Sequence, residues 1–135
     1  MAIARDTTAA NIKPLEGAIV RRFVAGAAIE AGEVVSMSSD GYIDPANAAA
    51  VATNRILGIA LPVKNQAAAY AAGDAVDVVV FGACQCVTGG TPGAVCYSSD
   101  TAGEPAETAG TKTAVVGLVI AATIVFVKPY IVSFS

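Results

Sequence analysis

Gly32-Glu33-Val34-Val35-Ser36-Met37-Ser38-Ser39-Asp40-Gly41-Tyr42-Ile43-Asp44-Pro45-Ala46 reads as two short strands around a tight turn. Val34, Val35 and Met37 are the apolar strand residues. Asp40-Gly41 supplies the positive-φ positions that a two-residue hairpin turn requires. Asp44-Pro45 then stops the second strand. The pattern recurs at Gly93-Ala94-Val95-Cys96-Tyr97-Ser98-Ser99-Asp100, closed by Glu104-Pro105-Ala106. A similar strand follows each copy, Arg55 to Ala60 after the first and Thr113 to Val119 after the second. The chain therefore reads as two related β units.

The rest of the chain fits this reading. Ala18 to Val24 is a strand candidate, and Ala75 to Phe81 is the strongest one, apolar on both faces and therefore central. Gly82 is expected to end it, with Ala83 to Val87 returning as a hairpin partner. Asn47 to Asn54 and Gln66 to Ala72 are Ala-rich connections, the first either a turn or two of helix or a packed loop. Lys128-Pro129 is expected to break the last apolar stretch, leaving Tyr130 to Phe134 as a short terminal strand. Many short strands with turn residues between them predict an all-β fold, a small barrel or sandwich. Residues 18–135 form one barrel-like domain of two units, about 18–82 and 83–135. Residues 1–17 show neither period and read as an extended N-terminal arm or a frayed end. Its apolar residues Ile3, Ile12 and Leu15 favour an arm that docks on something.

Composition narrows the function. The 135 residues are 55% hydrophobic and 14% charged, with a mean hydropathy of +0.63. Such a chain either spans a membrane or hides apolar surface in an assembly. The longest apolar run, Ala114 to Val127, falls short of the about 20 residues of a spanning helix, and its Val and Ile favour strand. No signal-peptide core follows Met1. The expectation is a cytoplasmic product that becomes buried in an oligomer, with no membrane partner. Net charge is −3 and there is no basic run, which argues against nucleic acid as a partner.

Catalytic chemistry is not legible. The chain has no His, which removes the commonest general base near neutral pH. Ser38-Ser39 and Ser98-Ser99 lie in turns beside Asp, where such side chains bond their own backbone. We expect no enzyme, no catalytic residue and no cofactor. Cys84 and Cys86 are two apart in a strand and face the same way. With Cys96 they make three thiols without His, read as free buried core residues rather than as a disulfide or metal site. The pair Arg21-Arg22 puts a guanidinium on each face of its strand. Either it meets carboxylates on a partner, or it guards an exposed edge with charge.

Four stretches together, Ala31-Gly32-Glu33-Val34-Val35, Ser39 to Ala46, Leu57-Gly58-Ile59-Ala60 and Ala72 to Val78, resemble the small capsid decoration, or cement, proteins of tailed bacteriophages. The resemblance covers roughly residues 17 to 82, the second unit more loosely and the first 16 not at all. Its motifs are mostly turn and strand grammar. It implies a β-rich homotrimer on the outer capsid surface of the virion, made in the host bacterial cytoplasm. Its partner would be the major capsid protein, whose contacts it would stabilise against internal pressure. On this reading the arm, through Ile3, Ile12 and Leu15, reaches away to neighbouring subunits, spanning up to about 55 Å at roughly 3.3 Å per residue. Arg21 and Arg22 at its root would make the polar contacts. The alternative is a virion adhesion or host-recognition module binding glycan or receptor. That needs a polar, aromatic-lined pocket, and four Tyr, four Phe and no Trp offer little to build one.

Overall fold

A computed structural model describes residues 3–62 and 69–132. The N-terminal segment contributes β1 (Ala4–Arg5) and β2 (Lys13–Pro14). Then come β3 (Ile19–Val24), β4 (Ile29–Glu30), β5 (Val34–Met37), β6 (Ile43–Pro45), β7 (Ile56–Ala60) and β8 (Ala69–Tyr70). After the long β9 (Ala75–Gln85) follow β10 (Val87–Thr88), β11 (Val95–Ser98), β12 (Pro105–Ala106), β13 (Ala114–Ala121) and β14 (Ile124–Ile131). Two single 3-10 turns, Ala9–Asn11 and Val51–Thr53, are the helical elements among the described residues. The fold is all-β, a curled half-barrel sheet.

The quoted stretch forms the expected hairpin, with Met37 opposite Ile43 and Val35 opposite Pro45. Its loop is one residue longer than expected. Ser38 N–H bonds Tyr42 O, so Ser39, Asp40 and Gly41 make a three-residue connection. Gly41 holds φ 88°, and Asp40 Oδ1 accepts from Tyr42 N at 2.9 Å. One left-handed glycine after a tight turn is the usual three-residue solution.

The second copy repeats the pairing in detail. β5 lies between β6 and β7, and β11 lies between β12 and β13. Val35 opposes Gly58 with a bulge just after Val35, and Cys96 opposes Gly117 with a bulge just after Cys96. Ile59 then opposes Val79, as Leu118 opposes Phe126. A Cβ on Gly58 would overlap the carbonyl of Val79, and one on Gly117 the carbonyl of Phe126. Both units thus need a residue without a side chain at the same place in the ladder. The spatial orders, β3-β9-β7-β5-β6 and β9-β14-β13-β11-β12, match element for element. β9 is the last strand of the first unit and the first strand of the second.

That double role explains two departures from the sequence reading. Gly82 does not end β9, and Ala83 to Val87 does not fold back on it. The strand runs through Gly82 at φ 110°, where Ala18 approaches too closely for any Cβ. It changes partners there, from β3 and β7 to β2 and β14. Lys128-Pro129 does not break the last strand either. Val115 opposes Tyr130 while Gly117 opposes Val127, so a bulge absorbs Pro129, which has no N–H to donate. The expected strand to Phe134 is described only as far as Val132, and the Ala-rich bridge only from Ala69, because 63–68 and 133–135 lie outside the described residues.

The N-terminal segment is built into the barrel instead of reaching away from it. In the first unit, β4 pairs with β8, which sits in the long connection between β7 and β9. In the second unit, β13 and β14 are joined by Ala122-Thr123 alone, which leaves no room for such a strand. The corresponding strand β10 takes β1 as its partner, with Arg5 opposite Val87. Further along, β2 pairs with the end of β9, and Leu15 N–H bonds Ala83 O at 2.9 Å. Ile3 and Ile12 are buried in the larger core cluster with Cys84, Cys86, Cys96, Val116, Val119, Val125 and Val127. A smaller cluster around Ile29, Val35, Ile43, Tyr70, Val76 and Val78 fills the first unit.

Candidate assembly surface

Along each unit runs the same apolar row, and the two rows meet different fates. In the first unit Val34, Ile56, Ile59, Leu61 and Val79 belong to the larger core. The second unit's inner residues and Ile3 and Ile12 share that core, and β13 and β14 pack against β7. The register places Val95, Val115, Leu118, Ile120 and Phe126 at the equivalent positions of the second unit. There Val95 is 37% exposed against 0% for Val34, Leu118 44% against 1% for Ile59, and Ile120 44% against 7% for Leu61. Tyr130, 66% exposed, extends the row. These residues line a shallow groove of about 710 Å³ together with Gly117, Lys128 and Pro129. Phe126 meets Phe81 edge to face, ring centres 5.3 Å apart at 83°, an orientation that aromatic quadrupoles favour. The lining is mostly apolar, with the Tyr130 hydroxyl and the Lys128 ammonium as its polar side-chain groups.

The site residues expected from the sequence are not brought together. Ile3 and Ile12 are buried in the chain's own core and cannot anchor on a partner. Leu15 is half-buried beside β9. Arg21 and Arg22 lie exposed on β3, which pairs with β9. Arg22 Nε donates to Asp77 Oδ1 at 3.0 Å, its directly opposed cross-strand neighbour. That hydrogen bond, more than the charge itself, raises the Arg22 pKa. Arg21 donates to the carbonyl of Val20 at 3.0 Å and remains turned to solvent. The pair therefore fits a charged edge, both residues exposed and Arg22 already bonded to Asp77.

The sequence reading passed over Arg5. Its Nε donates to Glu104 Oε2 at 2.8 Å, and its guanidinium also reaches Glu30 at 3.9 Å and the carbonyl of Ala31 at 3.1 Å. Arg5 thereby ties the N-terminal strand to both units. Burial works to lower its pKa, but the bond to Glu104 and the charges of Glu104, Glu33 and Glu30 outweigh that and raise it. Glu33 lies beneath Gly103, whose N–H bonds Ala46 O and whose carbonyl accepts from Val34 N–H. Burial raises the Glu33 pKa, against the pull of the Glu30 N–H, which donates to it at 2.7 Å, and of Arg5. No local motif marks this staple, because its members come from residues 5, 30, 33 and 104.

Ser98 and Asn54, both buried, hydrogen-bond across the two units, and Asn54 Nδ2 donates to Lys112 O at 2.9 Å. Ser99 Oγ donates to Glu104 O at 2.8 Å and closes its own turn. All three cysteines are buried and unpaired. Cys86 Sγ donates to Cys84 O at 3.6 Å. That neighbour first, and then burial, push the Cys86 pKa well up, while burial pushes Cys96 up to about 12. No cluster of three or more metal-ligating side chains occurs among the described residues, nor is any helix there long and apolar enough to cross a membrane. No family model matches the chain, and no curated protein matches it significantly.

Proposed function

We propose that this protein is a virion structural protein of the capsid decoration type, which binds the outside of a phage head as a homotrimer and stabilises contacts between major capsid proteins. The observation that carries the reading is the open apolar row of Val95, Leu118, Ile120 and Tyr130 on an otherwise well-packed barrel. Apolar rows of this size on a small domain mark association surfaces. The decoration-protein grammar of residues 31–78 supplies the kind of assembly. The barrel is stapled at several points, by Arg5, by the Ser98–Asn54 pair and by the shared β9, which suits a part that must hold its shape under load. Arg21, exposed on the edge strand β3, is the best placed of the expected polar contacts to meet a carboxylate on the capsid. The test is co-sedimentation with purified empty heads that lack their decoration. Saturable binding that raises the heads' resistance to heat supports the proposal. Heads that neither bind the protein nor gain resistance reject it.

A further inference from the structure

We infer that the open row on the second unit is the seat of a second copy of this chain. The inference takes up the self-association in the proposed function but does not depend on the capsid, and the two can fail separately. Its ground is the internal duplication. In the first unit the equivalent row is buried under this chain's own apolar surface. The row at the same register in the second unit, again built of large apolar residues, is left open among the described residues.

The size of the row points the same way. Ile19 and Phe81 continue it across β3 and β9, where they are paired neighbours. Taking about 200 Å² for a large side chain, the exposed parts of Ile19, Phe81, Val95, Leu118, Ile120 and Tyr130 amount to roughly 500 Å². A standard interface covers about 800 Å² on each partner, some 65% apolar where two identical chains meet. The row is therefore large enough to be the centre of such an interface. Charge agrees. Among the described residues the groove lining carries one charge, Lys128, whose stem can lie along the apolar surface with its ammonium in water. Two copies of this face can meet with both Lys128 ammonium groups left in water, whereas a strongly charged partner finds only Lys128 in the described lining to pair with.

The test is the mass of the full-length protein by sedimentation velocity from about 1 to 100 µM, a range that spans moderate self-affinities. The wild type should run as a whole-number multiple of its 13.4 kDa chain. Leu118→Glu, which places a carboxylate at the centre of the row, should weaken association by about 100-fold or more, and Tyr130→Ser by about tenfold, as expected for interface anchors. Tyr42→Ser, on the distant hairpin loop, should leave the mass unchanged. Far-ultraviolet circular dichroism checks that each variant keeps its β content. If Leu118→Glu does not fold, Tyr130→Ser decides, because a side chain that exposed contributes little to the core. A wild type that is monomeric throughout overturns the inference, including one that gains mass only with capsid protein, which assigns the row to that partner. So does an oligomer that survives both face variants. A folded monomeric variant that still decorates heads leaves this inference standing and removes the trimer from the capsid reading.

Discussion

Deleting residues 2–16 should cost the barrel most of its stability. Ile3 and Ile12 are buried in the main core, and full burial of each contributes about 1.5–3 kcal/mol, so roughly 3–6 kcal/mol goes with them. Arg5 goes as well, leaving Glu104 and the buried Glu33 without their cation. Breaking a fully buried pair costs about 3–5 kcal/mol. Here the Glu104 side chain is 32% exposed, and a discounted figure of about 1–2 kcal/mol is appropriate. β10 and the end of β9 also lose their partners. The total of about 4–8 kcal/mol compares with a whole stability of about 5–15 kcal/mol for a domain. The assay is urea unfolding followed by far-ultraviolet circular dichroism, since the chain has no Trp, at one fixed protein concentration because association adds to stability. With a slope of about 1–3 kcal/mol per molar urea, the midpoint should fall by about 1 M or more, or the truncated chain should be unfolded in buffer. Ile12→Ala alone should cost about 2–5 kcal/mol, and Leu15→Ala, half-buried, about 1 kcal/mol. An unchanged midpoint for the truncated chain would refute this reasoning and return the segment to the role of a free arm.

Three further outcomes are expected. Gly58→Ala and Gly117→Ala should each destabilise by about 1–3 kcal/mol or more, since both force a Cβ against an opposing carbonyl; chemical denaturation measures this, and a harmless substitution at either position breaks the equivalence of the units. The three thiols should be inert to a disulfide reagent at pH 8 in the native state and all react once the chain is unfolded, because the Cys84 contact and burial hold Cys86 protonated and burial holds Cys96 protonated; fast native labelling counts against the packing described. For Glu33 the folded-state pKa is raised, so its contribution is fully present below the ordinary carboxylate value of about 4.3 and declines as pH rises through the folded value. Glu33→Gln should therefore melt like the wild type near pH 4 and above it near pH 7, provided the amide oxygen keeps the Glu30 N–H bond; a melting difference of the opposite sign disproves the assignment.

What the sequence disclosed was local grammar. The Asp40-Gly41 turn, the stop at Pro45, the central apolar strand from Ala75 and the recurrence at residue 93 are all signalled within a few residues, and all recur in the fold. What it hid was long-range compensation. Pro129 looks like a strand breaker until a bulge opposite Val116 absorbs it. Gly82 looks like an end until β9 proves to be shared by two units. Residues 3–17 lack a period because they pair in two-residue pieces with strands at least 70 positions away. Their apolar residues Ile3 and Ile12 were the correct signal for docking, but nothing local says that the dock is the chain's own second unit. The candidate surface was hidden for a related reason. Ile59 and Leu118 are the same kind of residue in the same kind of strand, and only the fold separates the buried one from the exposed one.

That last contrast bears on how a duplicated barrel acquires a function. Two equal units could each have closed on themselves. This chain instead gives the first unit its own covering strand, β8, and lends the second unit the N-terminal strand β1. The row of the first unit is covered within the chain by the second unit's inner residues and by Ile3 and Ile12, while the equivalent row of the second stays open. Burying a row of this size is favourable by about 25 cal/mol per Å², so roughly 500 Å² corresponds to about 12 kcal/mol before the costs of association, which take back much of it. Among the described residues the first unit covers its row internally and the second leaves the equivalent row exposed. If the row seats a second copy as proposed, that row directs assembly, and substitutions at Val95, Leu118, Ile120 or Tyr130 should alter association while sparing the fold. Substitutions at the equivalent Val34, Ile59 or Leu61 should do the reverse.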